Sequence, residues 1–93
     1  MTNKYEAMLI FSVKNGEEAT TALVEKFKAL IEANGTVEGV DEWGKRRLAY
    51  LIDDEAEGYY AIYSFESAPE FPAELERVAK ITEGVLRAMT VKK

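Results

Sequence analysis

The spacing of apolar residues changes along this chain, and the order of the changes restricts the possible folds more than any other feature. Apolar residues recur at every second position, as in strands, in four segments: 5–13, 36–52, 59–66 and 85–91. Two intervening segments repeat at every third or fourth position, as helices do. The sequence therefore predicts the order strand, helix, strand, strand, helix, strand.

Capping residues and apolar stripes delimit the two predicted helices. Asn15-Gly16 precedes a helix that begins near Glu17 and ends at Asn34-Gly35. Pro69 and Pro72 bracket the start of the second helix, and Gly84 stops it. The first helix has the predicted buried stripe Ala19, Leu23, Val24, Phe27, Leu30 and Ile31. The second has Phe71, Leu75, Val78 and Ala79.

The first and third strands are apolar on both faces, which is typical of central strands. On the first, Tyr5, Ala7, Leu9 and Phe11 alternate with Met8 and Ile10. We therefore predict that residues 1–93 form a single α+β domain, a ferredoxin-like βαββαβ sandwich. Its four-stranded antiparallel sheet would have the second and fourth strands at its edges and both helices on one face. Gly39 or Gly44 is expected to form a bulge or bend in the long second strand.

The residue types present exclude most enzyme chemistry. The chain has no Cys and no His, so it lacks thiolate and imidazole groups for catalysis or for binding transition metals. Asp53, Asp54 and Glu55 share one predicted acidic turn over residues 53–58, where solvation explains them better than a metal or an acid–base pair. We expect no enzyme activity, no cofactor and no metal.

The first residues and the overall hydropathy predict a cytoplasmic protein. Residues 1–6 do not resemble an export signal, and no stretch approaches the roughly 18 apolar residues of a membrane span. The absence of Cys fits the same compartment. We expect no membrane association.

The net charge of the chain argues against nucleic-acid binding, whereas the distribution of its Lys and Arg residues is compatible with it. The net charge of −5 argues against nucleic-acid binding. Six of the 12 Lys and Arg residues, however, lie at the predicted edge strands in two segments without acids, residues 43–52 and 84–93: Lys45, Arg46, Arg47, Arg87, Lys92 and Lys93. Either these cations contact phosphates, or they only prevent edge-to-edge aggregation. Trp43 and Tyr50 flank the first group and could stack on bases, although Tyr50 shares its parity with Leu48 and Ile52 and is expected in the core.

The sheet face without helices is predicted to expose Met8, Ile10, Tyr60 and Ile62 together. A contiguous apolar patch of this kind usually marks a surface for a protein partner. The alternative is that an open sheet simply tolerates a few such side chains. We favour a protein partner.

Several motifs resemble the bacterial small-subunit ribosomal protein six family. They are Lys4-Tyr5-Glu6, the run Trp43-Gly44-Lys45-Arg46-Arg47-Leu48-Ala49-Tyr50, Gly58-Tyr59, Val85-Leu86-Arg87 and Val91-Lys92. The resemblance covers nearly the whole chain, and the run from Trp43 to Tyr50 is its most specific part.

The resemblance implies a structural component of the small ribosomal subunit. Such a protein would bind the central domain of small-subunit ribosomal RNA together with ribosomal protein eighteen, a basic partner, and no DNA is expected. The implied RNA contacts are Lys45, Arg46, Arg47, Arg87, Lys92 and Lys93, with Tyr5 at the edge. Met8, Ile10, Trp43, Tyr60 and Ile62 are the expected face for the partner protein. Many relatives have proline where Leu51 stands and continue beyond the last strand, so we expect pairing with the partner to be weaker here or confined to the sheet.

A hypothesis from another class uses the same apolar face. A ferredoxin-like homodimer could enclose a small molecule, or catalyse a cofactor-free reaction, between two sheets. Without His, the polar group in such a pocket would have to be a Tyr or a buried carboxylate.

Overall fold

The structure is a computed structural model that describes residues 2–52 and 55–93, with only the backbone of Ala49 and Tyr50. Four strands and two helices follow one another in these parts of the chain, in the predicted order. They are β1 (Asn3–Ser12), α1 (Glu17–Asn34), β2 (Gly35–Ile52), β3 (Glu55–Ser67), α2 (Phe71–Ile81) and β4 (Val85–Lys92).

The strands form an antiparallel sheet in the order β2-β3-β1-β4. β1 and β3 are central, which confirms the prediction from their two apolar faces. β2 and β4, the strands with the clustered cations, are the edges. The ferredoxin-like fold is therefore confirmed.

The third strand is longer than its composition suggested. We expected the acidic segment 53–58 to be a turn, but β3 begins at Glu55, where Glu55 pairs with Ile52 and Glu57 with Arg47. Pairing with the extended β2 outweighs the low strand propensity of these acidic residues. Asp53 and Asp54 lie outside the described residues, and so does the side chain of Tyr50.

The core lies between the helices and one face of the sheet. The predicted inward residues of β1 are all buried there, together with Val24, Phe27 and Ile31 of α1 and Leu75 of α2. In α1 the buried stripe includes Thr20 in place of the half-buried Ala19. Thr20 can be buried because its hydroxyl donates to the carbonyl oxygens of Ser12 and Gly16.

β2 departs from regular pairing at three places. The register shifts between Val37 and Gly39, between Glu42 and Gly44, and between Arg47 and Ile52. Both glycines proposed as bulges lie at these shifts, and Gly44 has φ 81, a left-handed conformation that favours glycine. The shifts bend β2 and change which of its side chains lie on each face.

Candidate protein and nucleic-acid interface

The face of the sheet without helices, called the open face below, carries three rows of paired side chains. Residues paired across antiparallel strands lie on the same face, so the register defines these rows. The rows are Val91, Glu6 and Ser64, then Met89, Met8 and Ile62, then Arg87, Ile10 and Tyr60. Met89 and Val91 are exposed, so they extend the predicted patch across β4 to the edge of the sheet.

Ile10 is not part of the exposed patch, and the prediction of its exposure was wrong. Only 4% of Ile10 is exposed, because the end of the β2–β3 hairpin brings Leu48 against it. Both side chains lie over Gly58, where an added Cβ would be 2.5 Å from Ile10 Cγ2 and 3.5 Å from Leu48 Cδ2. Leu48 is thus buried, as its parity suggested, but on the open face rather than beneath the helices.

Trp43 lies on the open face, where its ring stacks on Tyr60. The ring centroids are 6.3 Å apart and the planes differ by 12°. The indole Nε1 donates to Asp41 Oδ2 at 2.9 Å, which fixes the ring although 46% of Trp43 is exposed. Met8, Tyr60 and Ile62 are half-buried. A fixed, partly exposed aromatic residue is well suited to anchor a partner.

The two cationic segments lie at opposite edges of the sheet, and all six of their Lys and Arg residues are exposed. The strand spacing of about 4.8 Å separates the edges by roughly 14 Å. Pairing with Gly58 puts Arg46 on the open face, whereas pairing with Tyr59 puts Lys45 on the helix side. The cations therefore do not form one continuous patch.

The second cationic segment is likewise divided between the two faces. Arg87 lies in the open-face row of Ile10, and Lys92 pairs with Tyr5 on the helix side. Lys93 Nζ reaches the open face, 3.8 Å from Glu6 Oε2 and 3.4 Å from Ser64 Oγ. Neighbours in sequence thus face different surroundings.

The family resemblance implied that Tyr5 lies at the edge, but the structure does not place it there. It belongs to the central strand β1 and is 7% exposed. Its ring packs on Phe65 in the core with a centroid distance of 5.7 Å. The alternation that placed it with Ala7 and Leu9 described its position better than the resemblance did.

A groove on the helix side runs between the start of α1 and the edge strand β2. Gly16, Thr21 and Lys45 contribute to its lining, together with Tyr59. The Tyr59 hydroxyl donates to Glu42 Oε1 at 2.7 Å, and this hydrogen bond raises the pKa of Tyr59 above its usual value. The hydroxyl is therefore a poor base at neutral pH.

Within residues 2–52 and 55–93 no three Asp or Glu side chains are grouped to hold a metal ion. The described helices include none that is long and apolar enough to cross a membrane. The main candidate binding feature on the described surface is thus an apolar sheet face with exposed cations at its two edges.

The family profile described as Ribosomal protein S6 matches residues 4–92. The chain belongs to the ribosomal protein S6 family. The small ribosomal subunit protein bS6 of Clostridium novyi is 53% identical over 88 residues, covering 94% of this chain and 93% of that protein. The protein of the same name from Thermoanaerobacter pseudethanolicus is 51% identical over 89 residues, covering 95% and 94%.

Solved structures agree with this family assignment. The 30S ribosomal protein S6 from Thermotoga maritima superposes with a TM-score of 0.92 at 30% identity, covering 100% of this chain and 89% of that one. The C-terminal domain of MgtC from Mycobacterium tuberculosis shares the fold alone, with a TM-score of 0.56 at 15% identity. Membership of the S6 family supports a structural, non-enzymatic role in the ribosome.

Analysis of the sequence missed Leu48, Met89 and Val91 as open-face residues. The signal for Met89 and Val91 was present, since alternation in β4 gives them the same parity as Arg87. For Leu48 no local signal existed, because two register shifts precede it in β2 and it lies within a third, between Arg47 and Ile52.

Proposed function

We propose that residues 1–93 act as one ribosomal domain that binds the central domain of small-subunit ribosomal RNA together with ribosomal protein eighteen. The observation that carries this proposal is the open face, an apolar sheet surface beside exposed cations in a chain of the S6 family. The names of the relatives favour this ribosomal role over a homodimer that encloses a small molecule.

The proposed surface for the partner protein is the open face. Met8, Trp43, Tyr60 and Ile62 lie on this face, and Met89 and Val91 enlarge it. Ile10 supports this surface from below, since it is buried under Leu48. Apolar and aromatic side chains that protrude from a stable sheet bind a partner without a large cost in ordering.

The proposed RNA contacts are the exposed cations Lys45, Arg46, Arg47, Arg87, Lys92 and Lys93. Their positions at two edges of the sheet allow them to contact phosphates that lie on either side of a bound partner. Tyr5 is not included, because its ring is buried in the core.

A basic partner compensates for the charge of this chain. At a net charge of −5 the chain repels a phosphate backbone at long range, although its two edges are locally positive. Pairing with a basic protein would reverse the net charge of the bound unit. RNA binding is then expected to be a property of the pair.

Binding of a central-domain ribosomal RNA fragment tests the proposal directly. Retention on a filter is measured at low salt for this chain, for ribosomal protein eighteen of the same bacterium, and for the two together. We expect tight binding for the pair, and weaker binding for either protein alone.

A fragment of the same length from another domain of the ribosomal RNA is the control. If the pair binds both RNAs equally, or if adding this chain does not increase retention, the proposed function is wrong. Sedimentation of a cell extract gives an independent check, since the chain should travel with the small subunit.

A further inference from the structure

The turn that joins β1 to α1 contains an Asn-Gly pair, and a second such pair lies between α1 and β2. The two are Asn15-Gly16 and Asn34-Gly35. Glycine has no Cβ, so the side chain of the preceding asparagine can approach its backbone nitrogen without a steric barrier. An Asn-Gly pair is therefore the sequence in which an asparagine amide is lost most readily. The surroundings of each pair decide whether that reaction occurs in the folded chain.

We infer that Asn15 is a deamidation site, converted in the folded chain to aspartate and isoaspartate, whereas the fold protects Asn34. The Gly16 nitrogen loses its proton to water and attacks Asn15 Cγ. The bond between Cγ and Nδ2 breaks, and ammonia leaves after taking up a proton from water. The resulting cyclic imide adds a water molecule at either of its carbonyl carbons. One opening gives aspartate, and the other gives isoaspartate, in which the main chain runs through Cγ.

The reaction consumes one water molecule and releases one ammonia molecule for each residue converted. No atom changes its oxidation state through an outside reagent, so neither an oxidant nor a cofactor is needed. The site therefore depends only on the geometry and exposure of the turn.

The Asn15 side chain is free to react. Asn15 is exposed and lies in the turn between β1 and α1 rather than in either element. Gly16 is the N-cap of α1, and this helix has no side-chain capping hydrogen bond, so the Asn15 amide is not held there. Within residues 2–52 and 55–93 the amide has no hydrogen-bond partner. It can therefore turn towards the Gly16 nitrogen without losing a hydrogen bond.

The Gly16 nitrogen is accessible as well. Its N–H donates to the Val13 carbonyl oxygen at 3.3 Å, which is long for a hydrogen bond and therefore weak. Apart from its chain neighbours, no atom lies within 4 Å of a Cβ built on Gly16. Gly16 has φ 92° and ψ 169°, a conformation that essentially only glycine adopts. The turn thus requires glycine after Asn15, and the reactive pair is part of the fold.

Asn34, in contrast, is held by its helix and by the sheet. It is the last residue of α1, and its Nδ2 donates to the Leu30 carbonyl oxygen at 2.9 Å. Side chains in a helix point towards its N-terminus, whereas the next backbone nitrogen lies towards the C-terminus. Gly35 pairs with Ser67 and packs so closely on the Glu66 carbonyl that an added Cβ would overlap it. Imide formation at Asn34 therefore requires the helix end and the strand pair to open.

The product at Asn15 is compatible with the fold and remains exposed. Aspartate at this position adds a negative charge just before the first turn of α1, where the helix dipole favours an anion. Isoaspartate keeps a free carboxylate on the same exposed turn. That carboxylate has the chemistry of a methyl acceptor for carboxyl methyltransferases that use S-adenosylmethionine and recognise isoaspartate.

Ageing of the purified chain near physiological temperature, followed by trypsin digestion and mass spectrometry, tests the assignment. Cleavage after Lys and Arg separates the two pairs, with Asn15 in the peptide 15–26 and Asn34 in the peptide 29–45. Deamidation replaces an amide by a carboxylic acid and changes the peptide mass accordingly. We expect Asn15 to react at least about tenfold faster than Asn34, since exposed turns open at almost no cost and packed backbone does not. Equal rates would overturn the inference.

The same chain in concentrated urea is the matched control, because unfolding removes the protection of Asn34 and leaves the sequence unchanged. There the two rates should agree within about threefold. If Asn34 remains much less reactive than Asn15 in urea, the difference does not come from the fold and the inference is wrong.

Asn15→Gln tests the isoaspartate product. Glutamine is longer by a methylene group, so it cyclises on the following nitrogen far more slowly. Aged wild type should accept methyl groups from S-adenosylmethionine in the presence of a purified isoaspartyl carboxyl methyltransferase, and the aged variant should accept almost none. Equal methylation of the two aged chains would contradict the assignment to Asn15.

Discussion

Tyr63 shows how one buried polar residue couples stability to pH. Its ring is fully buried, and its hydroxyl donates to the Val24 carbonyl oxygen at 2.9 Å. Burial raises the pKa of Tyr63 in the folded protein. Since the pKa is higher in the folded than in the unfolded chain, the stabilisation is present below the unfolded value of about 10 and is lost as pH rises further.

We therefore predict two effects of Tyr63→Phe. At pH 7 the loss of the hydrogen bond should lower the free energy of unfolding by about 1 kcal/mol. Above pH 10 the wild type should lose stability by up to about 1.4 kcal/mol per pH unit more steeply than the variant. Urea unfolding at several pH values between 7 and 11 measures both effects. Parallel curves through pH 11 would contradict the assigned role of burial.

Lys92 and Lys93, at the end of β4 and directly after it, have the same side chain but lie on different faces of the sheet. Lys92 lies on the helix side opposite Tyr5, whereas Lys93 Nζ lies near Glu6 on the open face. Both were predicted to contact RNA, and that prediction stays open. Of these two residues, Lys93 is the one that reaches the open face.

At the scale of elements, β2 is an edge strand shaped by irregular pairing. Its three register shifts bend the strand and limit the length of regular edge available to another sheet. The same bending carries Trp43 against Tyr60 and Leu48 against Ile10. The irregularities therefore help to build the open face as well as protect the edge.

Gly58 on β3 lies beneath the contact of Leu48 with Ile10, where there is no room for a side chain. An added Cβ would lie 2.5 Å from Ile10 Cγ2, so we predict that Gly58→Ala lowers the free energy of unfolding by about 1–3 kcal/mol. Gly39→Ala is the matched control, because nothing lies within 4 Å of its added Cβ and its φ is not positive. Urea unfolding of both variants measures the difference, and equal stabilities would contradict the close packing at Gly58.

At the scale of the whole molecule, the exposed cations and the apolar open face occupy different parts of the sheet. The chain is acidic overall, yet both edges of its sheet carry exposed cations. The open face lies between those edges. A partner on that face would therefore lie between the two groups of cations.

This arrangement predicts how RNA binding by the pair depends on salt. Replacing Lys45 and Arg47 by alanine should lower the magnitude of the slope of log K against log salt by about 2, since each phosphate contact contributes about 0.9. Replacing the exposed helical residues Lys26 and Lys80 by alanine is the control and should leave the slope unchanged. Equal slopes for the two double variants would exclude contacts by Lys45 and Arg47.

The sequence alone determined the order of elements, the two-layer architecture and most of the core. Period-two and period-3.6 patterns report local side-chain direction, so they identified the central strands and the stripe containing Phe27 and Ile31. The predicted bulge positions at Gly39 and Gly44 followed from glycine's conformational freedom. The open face was predictable to the same extent, through the alternation of Met8, Tyr60 and Ile62.

Only the tertiary structure decided which open-face residues are covered and how the cations are distributed. Each register shift in β2 resets the alternation, so parity could not place Leu48 over Ile10. Pairing with β2 likewise extended β3 into the acidic segment at Glu55. These features depend on contacts between residues distant in sequence, whereas periodicity describes only neighbours along the chain. The sequence predicted an apolar patch on the two central strands. In the fold this surface also covers β4 and reaches the edge of the sheet through Met89 and Val91.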